Sequence, residues 1–204
     1  AQRRRSVRAE SSGLPWFYMS RFEIVSTPLS GLVVVQRKPI EDERGFLSRL
    51  FCSEELQAHG SAGEVKQINH TLTRDVGVVR GMHYQIPPKA EAKLVSCIRG
   101  AVWDVALDLR KNSPTFLKWH AQEISASNKR AMLIPPGFAH GFQSLTTDCE
   151  LIYLHSESYD PVLERGLMPL DPILKISWPL QISSMSQRDS NHPLLDENFE
   201  GVAL

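Results

Sequence analysis

The 204-residue sequence predicts an all-β domain folded as an antiparallel sandwich or jelly roll. Short β-rich runs recur from Leu32 onward, each bounded by Gly, Pro, Asn or Asp. No helix-length apolar period separates them, so the chain has no room for the βαβ units of a parallel sheet. Within residues 93–110, Trp103, Val105, Leu107 and Leu109 alternate with Asp104, Ala106 and Asp108, the pattern of a strand with one core face and one polar face.

The elements follow in chain order. Residues 1–18, "AQRRRSVRAESSGLPWFY", are Arg/Ser-rich and aperiodic; they read as a flexible arm, a tag remnant or a translated upstream stretch ahead of one folded unit, 19–204. After Met19, "SRFEIV" opens the first strand. "LVVVQRKPI", "GFLSRLF", "VKQINHTLT" and "VVRGMHYQ" continue the series, with "SEELQAHG" near residue 53 as a helical insertion. In "KLVSCIRGAVWDVALDLR" the Arg99-Gly100 pair is expected to turn two strands into a hairpin. "KWHAQEIS", "RAMLIPP", "GFQSL" and "CELIYLHSE" complete the strands, and the last thirty residues are the other candidate for helix.

Composition narrows the function. Lys+Arg and Asp+Glu number 23 each, so no global field recruits nucleic acid or an anionic membrane, and an anionic ligand must be held by a local cluster. Cys52, Cys97 and Cys149 are odd in number and lack a C-x-x-C pattern, which argues against a disulfide framework or a zinc site and for a reducing cytosol. No apolar run approaches the ~20 residues that span a bilayer. A local cluster is present in "VVRGMHYQIPPKAEAKLV", residues 78–95, which sets Arg80, His83 and Lys93 in strand-like sequence. Strict alternation puts Arg80 and His83 on opposite faces, so both reach one cavity only if the strand bulges, and Gly81 is where a bulge is expected.

"PPGFAHGF", residues 135–142, carries the P-x-G-x-x-H arrangement of one cupin motif, with Pro135 and Gly137 making a turn and His140 pointing into the barrel. The metal-binding cupins add H-x-H and a Glu, but His83 is followed by Tyr84 and Gln85, so a metal is not expected. With "DERGF" (42–46), "QINH" (67–70), "VVRGMHYQ", the Lys of "AKLV", "WDVALDLRKNSPTF" (103–116), "SASNKR", "ELIY" (150–153), "LERG", "SWPL" and "MSQRD" (185–189) before "HPLL", the chain resembles the dTDP-4-dehydrorhamnose 3,5-epimerases over roughly residues 22–195. These are metal-free cupins that epimerise 4-keto-6-deoxy nucleotide sugars.

The resemblance implies a cupin-type jelly roll with no cofactor and a nucleotide-sugar substrate. It implies His83 as the base that removes a C–H proton, a role that suits an imidazole with its unperturbed pKa near working pH. Asp189 would orient His83, Lys93 would steady charge on the C4 oxygen, and Tyr153 would return a proton on the opposite face. By period two, Leu151 and His155 share the side of Tyr153. Arg44, Arg80 and His140 match positions lining the sugar-nucleotide site, with Gln67, Asn69 and Glu164 as polar contacts; Phe46 or Tyr159 could stack on the base.

Ser158, Arg49 and Glu91 depart from the family pattern, where a stacking Tyr, a Glu and a Gln are usual, and all three are expected around the nucleotide. A CDP- or GDP-sugar, and inversion at C3 or C5 alone, therefore stay open. A metal-dependent cupin enzyme and a non-catalytic jelly roll that binds sugar nucleotides are the remaining alternatives. Relatives exchange N-terminal strands across a two-fold axis, which implies a homodimer.

Overall fold

The computed structural model describes residues 20–60 and 64–204; the arm expected at 1–18 lies outside them. Two antiparallel sheets face each other. The larger runs in the order β1 (Phe22–Ser26), β2 (Val33–Arg37), β10 (Arg130–Ile134), β7 (Lys93–Arg99), β12 (Cys149–His155) and β5 (Gln67–Thr73). The smaller runs β13 (Glu164–Gly166), β6 (Val79–Gln85), β11 (Phe138–Ser144), β8 (Ala101–Asp108) and β9 (Trp119–Ser125). A separate hairpin joins β3 (Ile40–Asp42) to β4 (Gly45–Leu47). The jelly-roll expectation holds.

Period-two patterning explains the layers. On β10, Met132 and Ile134 pack between the sheets with Val95, Val102, Phe138 and Leu151, whereas Ala131 and Leu133 pack behind the larger sheet with Phe22, Leu94 and Leu56. Leu56 comes from the one-turn helix α1 (Ser53–Leu56), which runs on into a 3-10 turn at Gln57–His59, so "SEELQAHG" is helical as expected. Behind the smaller sheet, Val105 and Leu107 of β8 meet Leu167, Leu174, Leu195 and Val202 from the chain's last forty residues. Each such aliphatic side chain contributes about 1.5–3 kcal/mol when fully buried. That C-terminal segment is not the helix envisaged for it: only α2 (Gln187–Ser190) is helical, and the rest lies along the sheet, tied by Asp171 Oδ2, which accepts from the Leu195 N–H at 2.5 Å.

Two further expectations are corrected. Arg99-Gly100 is not a hairpin turn, because β7 and β8 belong to different sheets; Gly100, at φ 75, lets the chain cross from one sheet to the other at the strand ends. Nor is one face of β8 solvent-facing, since Asp104 and Asp108 are both fully buried. Asp104 takes a hydrogen bond from His140, and Asp108 is satisfied by Arg110, Ser113 and Thr115.

Candidate active site

The inward rows of the strands change character toward one end of the barrel. On β12 the row runs from Leu151 in the core to Tyr153 and His155; on β7 it runs from Cys97 and Val95 to Lys93; on β11, His140 stands between Phe138 and Phe142. Gln67, Asn69 and Thr71 form the matching row on β5. They enclose a cavity of about 270 Å³, open at one side.

β6 reaches the same cavity through the irregularity expected at Gly81. His140 pairs with His83 and Phe142 with Arg80, so three steps on β6 face two on β11, and Arg80 and His83 both line the cavity. Gly81 has φ 134, and a Cβ there would stand 2.5 Å from Gly141 Cα. Only glycine fits so close an approach of two strands.

His83 Nε2 donates to Asp189 Oδ1 at 2.7 Å, which leaves the imidazole lone pair on Nδ1. Asp189 is 3% exposed and is fixed from three directions: the Ser186 hydroxyl caps its N–H, its Oδ2 accepts from the Gly81 N–H at 3.3 Å, and His83 holds Oδ1. Burial resists ionisation of Asp189, but these hydrogen bonds and the nearby imidazole outweigh it and hold the carboxyl below its usual range.

Across the cavity, burial and the Asp104 carboxylate push the Tyr153 phenol far up, so it stays protonated. His140, 5.8 Å away ring to ring and edge-on, donates Nε2–H to the fully buried Asp104 at 2.7 Å. Lys93 lies 3.0 Å from Glu91 Oε1 and donates to the His83 carbonyl oxygen at 3.4 Å, so its ammonium bridges the two sheets. Glu91 also accepts from His155 Nδ1 at 3.1 Å; His155 and Lys93 together keep its carboxyl low against the effect of burial.

The chain matches the family model "dTDP-4-dehydrorhamnose 3,5-epimerase" over residues 26–197. The chain belongs to this epimerase family. It is 41% identical over 169 residues to the dTDP-4-dehydrorhamnose 3,5-epimerase of Shigella flexneri, covering 82% of this chain and 93% of that one. It is 44% identical over 157 residues to the dTDP-4-dehydrorhamnose 3-epimerase of Streptomyces niveus, covering 76% and 75%. The crystal structure of dTDP-6-deoxy-D-glucose-3,5-epimerase from Legionella pneumophila in complex with dTDP-4-keto-L-rhamnose superposes with a TM-score of 0.80 at 37% identity, covering 85% and 92%.

In this epimerase the cavity gathers His83, Lys93, Tyr153, Gln67, Asn69, Arg80, His140 and Glu164, with Asp189 directly behind His83. Arg44 and Phe46 are elsewhere: they sit exposed on the β3–β4 hairpin, Arg44 paired with Asp42 and Phe46 under the Lys129 ammonium. Of the three departures, Arg49 is ion-paired with Glu55, and Ser158 is exposed with its carbonyl accepting from Gln85. Glu91 is not at a nucleotide rim but buried against Lys93.

Residues not singled out include Asp104, hidden by a strand alternation that suggested solvent, and Arg188, inside the quoted "MSQRD" and bound to Glu164 at 2.5 Å. His192, three residues beyond Asp189, stands edge-on to His83 with centroids 5.4 Å apart. Its position at the head of "HPLL", with two residues between it and "MSQRD", is the signal the sequence offers.

Proposed function

We propose that this epimerase inverts C3 and/or C5 of a nucleotide-linked 4-keto-6-deoxy hexose of the dTDP-4-dehydro-6-deoxyglucose type. The observation that carries the reading is the opposition of His83–Asp189 on the smaller sheet to Tyr153 on the larger, across one cavity with the Lys93 ammonium inside it. His83 Nδ1 takes the proton from the carbon beside the ketone. The C–H electrons move into the C4–O system, and Lys93 balances the charge that arrives on oxygen. Tyr153 O–H then delivers a proton from the other side, and solvent restores both groups.

Arg80 has no carboxylate partner among the described residues, whereas Lys93 is matched by Glu91 and Arg188 by Glu164; that leaves Arg80 as the cation for the pyrophosphate. Tyr159 at the cavity rim, its hydroxyl donating to Glu164 at 2.9 Å, is positioned to stack on the base in place of the residue lost at Ser158.

The working unit in this reading is a homodimer with exchanged N-terminal strands, in which the β3–β4 hairpin brings Arg44 and Phe46 to the neighbouring copy's cavity. Support comes from Ile40, Phe46 and Leu47, all exposed, with Leu47 at 70%. Phe46→Asp should shift the protein toward monomer in sedimentation and weaken substrate binding; an unchanged dimer with full activity counts against it. A reducing cytosol suits the free cysteines, of which Cys97 is driven by burial up to about 12. Among the described residues no helix is long and apolar enough to cross a membrane.

The test is incubation with dTDP-, CDP- and GDP-linked 4-keto-6-deoxy sugars in deuterated water, reading which carbon gains deuterium and with which base. His83→Ala should abolish exchange, and exchange at the parent rate would sink the base assignment. Tyr153→Phe should spare exchange more than inversion; equal loss of both would remove Tyr153 as the opposite-face acid.

A further inference from the structure

His192 has no part in the chemistry above, yet its Nε2 lies 3.6 Å from Asp189 Oδ1, the oxygen that also accepts from His83. That nitrogen is shielded from solvent and has no hydrogen-bond partner among the described residues. Buried polar atoms are nearly always matched, so an unmatched imidazole nitrogen facing a carboxylate and a second imidazole calls for an explanation.

One ligand atom from each of His83, Asp189 and His192 lies within 4.8 Å of the others. The backbone holds all three in place. His83 is set by the β6 bulge, Asp189 by the Ser186 cap and the Gly81 N–H, and His192 packs into the notch at Gly166, where a Cβ would stand 2.2 Å from its ring.

We propose that these side chains form a binding site for Zn²⁺ or a similar borderline divalent ion, and that filling it switches the epimerase off. The switching rests on the role given to His83; the binding does not. Two imidazoles and a carboxylate are a donor set zinc takes, with water at the fourth position, whereas harder cations prefer oxygen alone. Bonds of ~2.0–2.1 Å at tetrahedral angles put ligand atoms roughly 3.3 Å apart. The His83–Asp189 pair, now at 2.7 Å, must open slightly, His192 must close on Asp189 from 3.6 Å, and the two imidazoles, whose ligand atoms lie within 4.8 Å of each other, must draw together by side-chain movement.

Inhibition follows from the single lone pair of a neutral imidazole. In the active state Nε2 of His83 carries the hydrogen given to Asp189, and Nδ1 carries the lone pair. A metal ion bound at Nε2 takes that position, and the displaced proton passes through solvent to Nδ1. The ring remains neutral, but its lone pair is committed to the metal and none is left for a C–H proton.

Zinc alone is titrated calorimetrically into the full, chelator-stripped chain, with cobalt(II) absorption in parallel; neither measurement needs substrate. One tight site per chain and tetrahedral cobalt bands are expected. His192→Ala should weaken zinc by about 100-fold, since losing even an outer partner of a metal ligand costs 10–100-fold. Metal-free His192→Ala should keep deuterium exchange near the parent rate and escape zinc concentrations that silence the parent. His192→Asn, which keeps a polar tip, gives the same readings if the alanine variant folds poorly. A parent that binds no zinc, or variants that bind it as tightly, overturns the site. Zinc held through His192 with exchange undiminished overturns the switch. Absence of exchange in the metal-free parent fails the epimerase reading instead, and the titration still decides the site.

Discussion

Replacing Gly81 with alanine isolates the close approach that brings Arg80 and His83 into one cavity. An alanine there keeps φ near 134 and sets its Cβ 2.5 Å from Gly141 Cα and 2.9 Å from the His140 carbonyl oxygen. Both contacts are backbone, so neither can yield by a side-chain rotation. Gly45 supplies the control: its φ is 133, yet nothing lies within 4 Å of its Cβ position. Backbone strain of about 1–3 kcal/mol is common to both variants. Overpacking of about 1–3 kcal/mol is added only at Gly81. For a domain of this size the difference should appear as a melting temperature roughly 2–12 °C lower for Gly81→Ala than for Gly45→Ala.

Activity should fall further than stability. The Gly81 N–H also holds Asp189, and a misplacement of about 1 Å at a reacting group costs on the order of 100-fold. Thermal unfolding and solvent-deuterium exchange read the two effects separately. A Gly81→Ala protein that melts with Gly45→Ala and exchanges at the parent rate would refute the reasoning.

Other perturbations test neighbouring parts of the site. Asp189→Asn keeps the shape but removes the carboxylate that fixes the His83 tautomer, so exchange should drop about 10⁴-fold, as for the orienting carboxylate in hydrolase triads, and the melting temperature should fall with the loss of the charge-assisted hydrogen bonds. Asp189 and Glu91 have folded pKa values below their unfolded ones, so their stabilisation is complete above about pH 5 and is lost as pH falls through the folded values. Denaturant titrations across pH should show that acid loss, shallower in Asp189→Asn. Asp104, which burial holds above the usual range, acts in the opposite sense. Glu91→Leu strands the Lys93 ammonium, 8% exposed, and should cost about 3–5 kcal/mol of unfolding free energy; Glu91→Gln, which keeps an acceptor, should cost less.

The sequence made the strands legible because Gly, Pro and Asn bound nearly every run, and once the resemblance put Arg80 and His83 in one cavity, alternation required a bulge, for which Gly81 was the place. It concealed which sheet each strand joins. Arg99-Gly100 has the chemistry of a hairpin turn, and only the pairing of β7 with β10 and β12 shows that it turns a corner. Asp104 and Asp108 look like a solvent face because polarity says nothing of what covers a strand; here one carboxylate meets a buried imidazole and the other a guanidinium and two hydroxyls. The catalytic set came from motif resemblance. Glu91 is misplaced when it is read only as a departure from the family's usual Gln, although a two-residue step in extended chain sets it on the same side as Lys93.

Because Tyr153, Lys93 and His140 occupy the same inward rows as Leu151, Val95 and Phe138, the reaction chamber is the portion of the barrel left without hydrocarbon filling. Room for a larger sugar can be gained only by shortening the greasy interior. Conversely, refilling the chamber with aliphatic residues should yield a hardier protein with nothing left to catalyse.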